Sequence, residues 1–141
     1  GLRSARARQR RAAERAEHAL TRFGDRLWPR REELSYSLSY ANRRRLEIAR
    51  VLASRPRLLL LDEPTAGMNP TETAELTGVL ADVHATDPEI TVVLVEHKMS
   101  VVREISRRVV VLDAGRVIAD GTPDHALADP AVVAAYLGAG A

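Results

Sequence analysis

The chain reads as an α/β protein in which parallel strands joined by crossover helices follow a leading helical segment. Three observations carry that reading. Leu58 to Leu61, Ile90 to Val95 and Val109 to Leu112 are short, continuous apolar runs, the pattern of strands covered on both faces in a parallel sheet. Between the first two, Leu76, Val79, Leu80 and Val83 recur at helical spacing over Thr71 to His84. Everything before Arg57 lacks such runs and carries only helical periodicity.

In that first segment, Ser4 to Phe23 is rich in helix formers. It sets Ala12, Ala16, Ala19, Leu20 and Phe23 on one face and has Gly24 where a helix commonly stops. After the Trp28-Pro29 break, Asn42 to Ser54 repeats the pattern through Leu46, Ala49, Leu52 and Ala53 and is closed by Pro56. The crossover helix has its own start signal: Asn69 can cap it, Pro70 suits its first turn, and Glu72 falls at the capping-box position. A short helix over Ser100 to Arg108 precedes the third run, and Asp113-Ala114-Gly115 then turns into Arg116 to Ala119 as a hairpin. Two small helices are expected at Thr122-Pro123 and Asp129-Pro130, where proline follows a capping side chain. The division that follows is 1–57, a helical subdomain, and 58–141, part of an α/β core with small terminal helices.

Composition limits the function classes. With 141 residues, 45% hydrophobic and 28% charged, the chain can bury one real core, as soluble globular proteins do. No apolar run approaches the ~20 residues of a membrane span, and the arginine-rich start does not resemble a secretory signal. The absence of cysteine excludes disulfides and thiolate metal sites. The net charge of +2 hides 16 arginines against 6 acids up to Arg57, and 5 Lys and Arg against 13 acids afterwards. Because those arginines alternate with Glu14, Glu17, Glu32 and Glu33 and lack an aromatic platform, a solvated helical face is preferred to a nucleic-acid surface, and no nucleic-acid partner is expected.

Chemistry collects at the ends of the apolar runs. In open parallel sheets, ligands bind beyond the carboxyl ends of the strands. The first run ends on Asp62 and Glu63, the second on Glu96 and His97. A carboxylate at a strand end suits Mg²⁺, a second alongside can polarise an attacking water, and an imidazole can donate to a phosphate as charge develops. Either pair alone could be a strand end near a helix or a hydrogen-bonded histidine. Their coincidence at corresponding ends favours phosphate chemistry. Upstream, Ser39 and the following backbone N–H groups occupy a helix start suited to an anion, although an isolated serine there would be an ordinary cap.

The stretch SLSYANRRRLEIARVLASRPRLLLLDEPTAGMNP, followed by VVLVEH, resembles the nucleotide-binding domains of ABC transporters. EHKMSVV, VVVLDAGRVIADGTP and DPAVVAAYLG look most like the ATP-binding subunits of branched-chain amino-acid importers, and the likeness runs from about Ser37 to Gly138. The resemblance implies the C-terminal half of a P-loop NTPase-type domain. It implies Ser39, Tyr40, Ala41 and Asn42 as signature residues, Asp62 as the Mg²⁺-site carboxylate and Glu63 as catalytic base. It likewise implies Asn69 in the D-loop and His97 as sensor of the γ-phosphate, with ATP and Mg²⁺ as cofactors. A second nucleotide-binding subunit bound head to tail and transmembrane permease subunits are the implied partners, at the cytoplasmic face of the inner membrane.

Two departures stand out. Ala41 and Asn42 occupy positions where the family commonly has glycine and glutamine, and Asn69 one where aspartate is common. A left-handed backbone at Ala41 would cost about 1 kcal/mol or more. No Gly-x-x-x-x-Gly-Lys-Ser/Thr loop occurs, and the single lysine, Lys98, follows no glycine-rich stretch. The expectation is therefore part of an ABC-type ATPase for import of branched-chain or other amino acids, inactive by itself. The alternative is a non-catalytic module that pairs with a complete subunit and supplies its signature in trans.

Overall fold

A computed structural model describes residues 2–137, so the Gly138 limit of the resemblance lies outside the described residues. The chain forms two compact units, Gly1–Val95 and Glu96–Ala141.

The first unit begins with α1 (Leu2–Thr21) and three single 3-10 turns, then α2 (Tyr40–Ala53), β1 (Leu58–Asp62), α3 (Pro70–Thr86) and β2 (Thr91–Val95). The expected starts hold. Ser39 caps α2 by accepting from Asn42 N–H, and Asn69 with Glu72 forms the full capping box of α3. Along α3, Leu76, Leu80 and Val83 are fully buried, and Thr77 turns its hydroxyl back to the Thr73 carbonyl at 2.8 Å. β1 and β2 pair in parallel with Leu58 opposite Thr91 and Asp62 opposite Val95.

The basic excess of the first segment is partly met inside this unit. Arg22 reaches Thr86 and Asp87 at the end of α3, and Arg26 grips both oxygens of Glu75 on the same helix. Arg31 stacks 4.7 Å from the Trp28 ring centroid. These arginines are fasteners as well as solvated charges.

The second unit contains α4 (Met99–Ile105), the antiparallel pair β3 (Val109–Asp113) and β4 (Arg116–Gly121), α5 (Pro123–Leu127) and α6 (Pro130–Val132). Ala114 and Gly115 both have positive φ, 46° and 77°, the two-residue turn whose twist matches a hairpin. A register shift after Val111 leaves Ile118 as an extra residue in β4. Val102, Val111, Ala126 and Val132 are buried in its core. Asp129 caps α6 by accepting from Ala131 N–H, but Thr122 makes no side-chain cap at α5.

Two sequence expectations need correction. β3 pairs among the described residues only with β4, and antiparallel. The apolar runs are also not covered on both faces: β1 alternates exposed and buried, with Leu58, Leu60, Val93 and Val95 open to solvent while Leu59 and Leu61 are buried. An uninterrupted apolar run signals the capacity to be covered twice, whereas alternation appears when the chain supplies one layer only.

Candidate functional site

Within the first unit, three short segments meet at the carboxyl end of β1. Asp62 closes the strand, and Glu63 N–H continues the ladder by donating to Val95 O at 2.9 Å. Glu63 then leaves the extended region for φ 43°, a left-handed conformation uncommon outside glycine, asparagine and aspartate. This turn breaks the strand and sends Pro64–Thr65 inward, both buried, while both carboxylates stay exposed. Such held strain costs about 1–3 kcal/mol and concentrates at functional positions.

The start of α2 approaches the same strand end. Arg44 Nη2 donates to the Asp62 carbonyl at 2.9 Å, tying the helix that carries Ser39 to Asn42 onto the carboxylate pair. Tyr40 lies along Gly67, whose φ is 70°; a Cβ there would sit 3.2 Å from Tyr40 Cε1. The Ser39 hydroxyl oxygen accepts from Asn42 N–H at 3.3 Å, which leaves its own hydrogen to donate elsewhere. Ala41 is buried inside α2 and is not among the residues with positive φ, so alanine replaces glycine there without backbone strain. Asn69, at the start of α3, holds Glu72 N–H with its side chain at 2.9 Å.

His97 belongs to the second unit. Its backbone N–H donates to the Glu96 carboxylate at 3.1 Å, and Lys98 N–H to the same oxygen at 3.4 Å. The Glu96 side chain is 1% exposed and the imidazole 61%, so a buried carboxylate fixes the loop while the ring remains accessible. The structure thus brings Ser39, Tyr40, Ala41, Asn42, Asp62, Glu63 and Asn69 into one unit and places His97 in the other.

Among the described residues, no three His, Asp or Glu side chains converge as a metal cage. Asp62 presents one exposed carboxylate. That fits Mg²⁺, which keeps several waters and takes one or two carboxylates plus phosphate oxygens, and it does not fit a cation needing an all-protein shell.

Sequence reasoning missed Arg44, Arg45 and Glu75. Arg45 is 2% exposed and binds Asn42, the Glu72 carbonyl and Glu75. Its signal was available: Ala41, Arg45, Ile48, Ala49 and Leu52 share the buried helical face, which leaves an arginine where an apolar residue belongs.

The ABC transporter family profile matches residues 2–66, and that of the branched-chain amino acid ATP-binding cassette transporter matches 116–141. The high-affinity branched-chain amino acid transport ATP-binding protein BraF of Pseudomonas aeruginosa is 47% identical over 102 residues, 72% of this chain and 40% of that protein. Its counterpart LivG of Escherichia coli K12 is 41% identical over 127 residues, 90% of this chain and 49% of that protein. The ADP conformation of MJ1267, an ATP-binding cassette of an ABC transporter, superposes with a TM-score of 0.77 at 27% identity, covering 90% of this chain and 50% of that one. The chain spans about half the length of the curated relatives it matches.

Proposed function

We propose a function for a chain that belongs to the ABC transporter family, as a C-terminal portion of its nucleotide-binding domain: it supplies the catalytic carboxylates and signature of an ATPase that drives amino-acid import. The family binds nucleotide and Mg²⁺ in general, and the relatives are ATP-binding subunits of transporters. No helix among the described residues is long and apolar enough to cross a membrane. The observation that carries the reading is the single strand end at which Asp62, Glu63 and the Arg44-tethered start of α2 meet.

Each residue has a role its environment allows. Asp62, exposed at the strand end, would hold the Mg²⁺ site, whose ion offsets phosphate charge when bound. Glu63, turned out by its positive φ, would accept the proton of the attacking water. His97 would donate to the γ-phosphate from an imidazole left accessible by the buried Glu96. Ser39, with its hydroxyl hydrogen available and the α2 N–H groups behind it, would donate to a phosphate held by a second nucleotide-binding subunit in a head-to-tail dimer. Asn69 would line that contact as the D-loop residue. The dimer would work beneath permease subunits at the cytoplasmic face of the inner membrane, with branched-chain or other amino acids as cargo.

The test is ATP hydrolysis by this chain alone and in the presence of a complete nucleotide-binding subunit whose signature serine has been replaced. The chain alone should show no turnover, since it carries no Gly-x-x-x-x-Gly-Lys loop. Addition should restore turnover at the complete subunit's own phosphate loop, and Ser39→Ala should abolish the rescue. Robust hydrolysis by the chain alone, or no rescue at saturating chain, overturns the reading.

A further inference from the structure

Arg45 occupies the middle of the buried face of α2, one turn after Ala41 and one before Ala49. A guanidinium removed from water must have its donors met by the protein. Three acceptors do so: Asn42 Oδ1 at 3.0 Å from Nη1, and Glu72 O at 3.3 Å and Glu75 Oε2 at 2.9 Å from Nη2. The first lies at the start of α2, the others in the first two turns of α3. Glu72 is also the residue whose carboxylate and N–H complete the cap with Asn69, at 3.1 and 2.9 Å. A continuous polar path therefore runs from Asn42 through Arg45 and Glu72 to Asn69.

The path is braced at Arg45. Glu75 is held from its other side by Arg26, which engages both carboxylate oxygens. The planar fork of arginine reaches acceptors on two helices at once, which the single ammonium of lysine cannot reproduce. Tyr40 against Gly67 adds an independent contact between the start of α2 and the loop that leads into α3.

We propose that Arg45 is a positioning residue that couples the start of α2 to the start of α3, so that the orientations of Asn42 and Asn69 are set together. That these two residues face nucleotide or a second subunit rests on the function proposed above; the coupling itself does not. Engagement of a ligand at either helix start would then be felt at the other, with equal coupling in both directions.

Amide hydrogen exchange on the 141-residue chain, read by mass spectrometry, tests this directly. Asn42→Ala should speed exchange at least ~3-fold in residues 72–76, which none of the described hydrogen bonds of Asn42 reaches directly, as well as in 42–46. Asn69→Ala should do the converse. Arg45→Lys should loosen both windows while leaving β1 and β2 unchanged. The proposal is overturned if Asn42→Ala and Asn69→Ala each affect only their own window. It is also overturned if Arg45→Lys accelerates exchange uniformly through the first unit, as a general loss of stability would. Should Arg45→Lys fail to fold, the two asparagine variants, both at helix starts, decide the matter. No nucleotide enters the experiment, so a failed rescue by the chain in the assay above leaves this result standing, and a failed coupling leaves that assay unaffected.

Discussion

Glu75→Gln should weaken the first unit more than any exposed ion pair in the molecule. The substitution keeps shape and one acceptor oxygen but removes the one carboxylate that, among the described residues, bonds Arg45, whose side chain is 2% exposed. Breaking a fully buried pair costs about 3–5 kcal/mol because a buried charge is left uncompensated. Here the cost is smaller, since the Glu75 side chain is 35% exposed and Arg45 keeps Asn42 Oδ1 and the Glu72 carbonyl. About 2–3 kcal/mol is the reasoned loss, and the half-exposed Arg26 pair adds little. For a unit of roughly 100 residues, each kcal/mol moves Tm by about 4–8 °C, so a fall of about 8–24 °C is expected. Trp28 is the single tryptophan and lies in that unit, so its fluorescence follows the relevant transition. The pH dependence carries a sign. The hydrogen bond from Arg26 is the main cause that lowers the Glu75 pKa, so its contribution is present above the unfolded carboxyl value of 4.5 and is lost as pH falls through the lower folded value. The wild-type Tm should therefore drop more steeply than that of Glu75→Gln below about pH 4.5. A Tm shift under ~3 °C at neutral pH, with parallel acid limbs, would refute the reasoning.

Other consequences are open to measurement. Gly67→Ala should lower the Trp28-monitored Tm more than Gly24→Ala, because both carry positive φ but only Gly67 faces a ring, at 3.2 Å, while Gly24 faces open space; equal shifts would mean that Tyr40 yields freely. Glu63→Gly should leave stability unchanged or raise it by up to about 1 kcal/mol, since glycine relieves the φ of 43°, while abolishing any turnover that depends on the Glu63 carboxylate; a marked destabilisation in urea melts would count against strain at this position. The open sheet face should bind the dye ANS in the native state, and Leu60→Thr with Val93→Thr, register partners on that face, should remove most of the signal; unchanged fluorescence would place the dye elsewhere.

Much of this was legible in the sequence, for local reasons. Ser39, Asn69, Glu72 and Asp129 announce helix starts because their side chains bond backbone N–H groups three residues away or fewer, and such geometry depends on nothing distant. Asp62 and Glu63 were visible because they interrupt an apolar run. What stayed hidden depends on partners far along the chain. Arg45 looks like one of three consecutive arginines until Glu75, thirty residues on, is brought beside it. The one-sided exposure of β1 and β2 was equally invisible, because Leu58 and Leu59 are the same residue and only the surrounding layers decide which is buried.

The span between Arg45 and Glu75 also sets a clock on synthesis. At the ribosome's pace of about 5–20 residues per second, Arg45 is made roughly 1.5–6 s before the carboxylate that neutralises it, thirty residues on. During that interval the helix can form locally, but the guanidinium has no reason to leave water. The start of α2, where Asn42 is oriented through Arg45, is therefore translated well before it can take its final place.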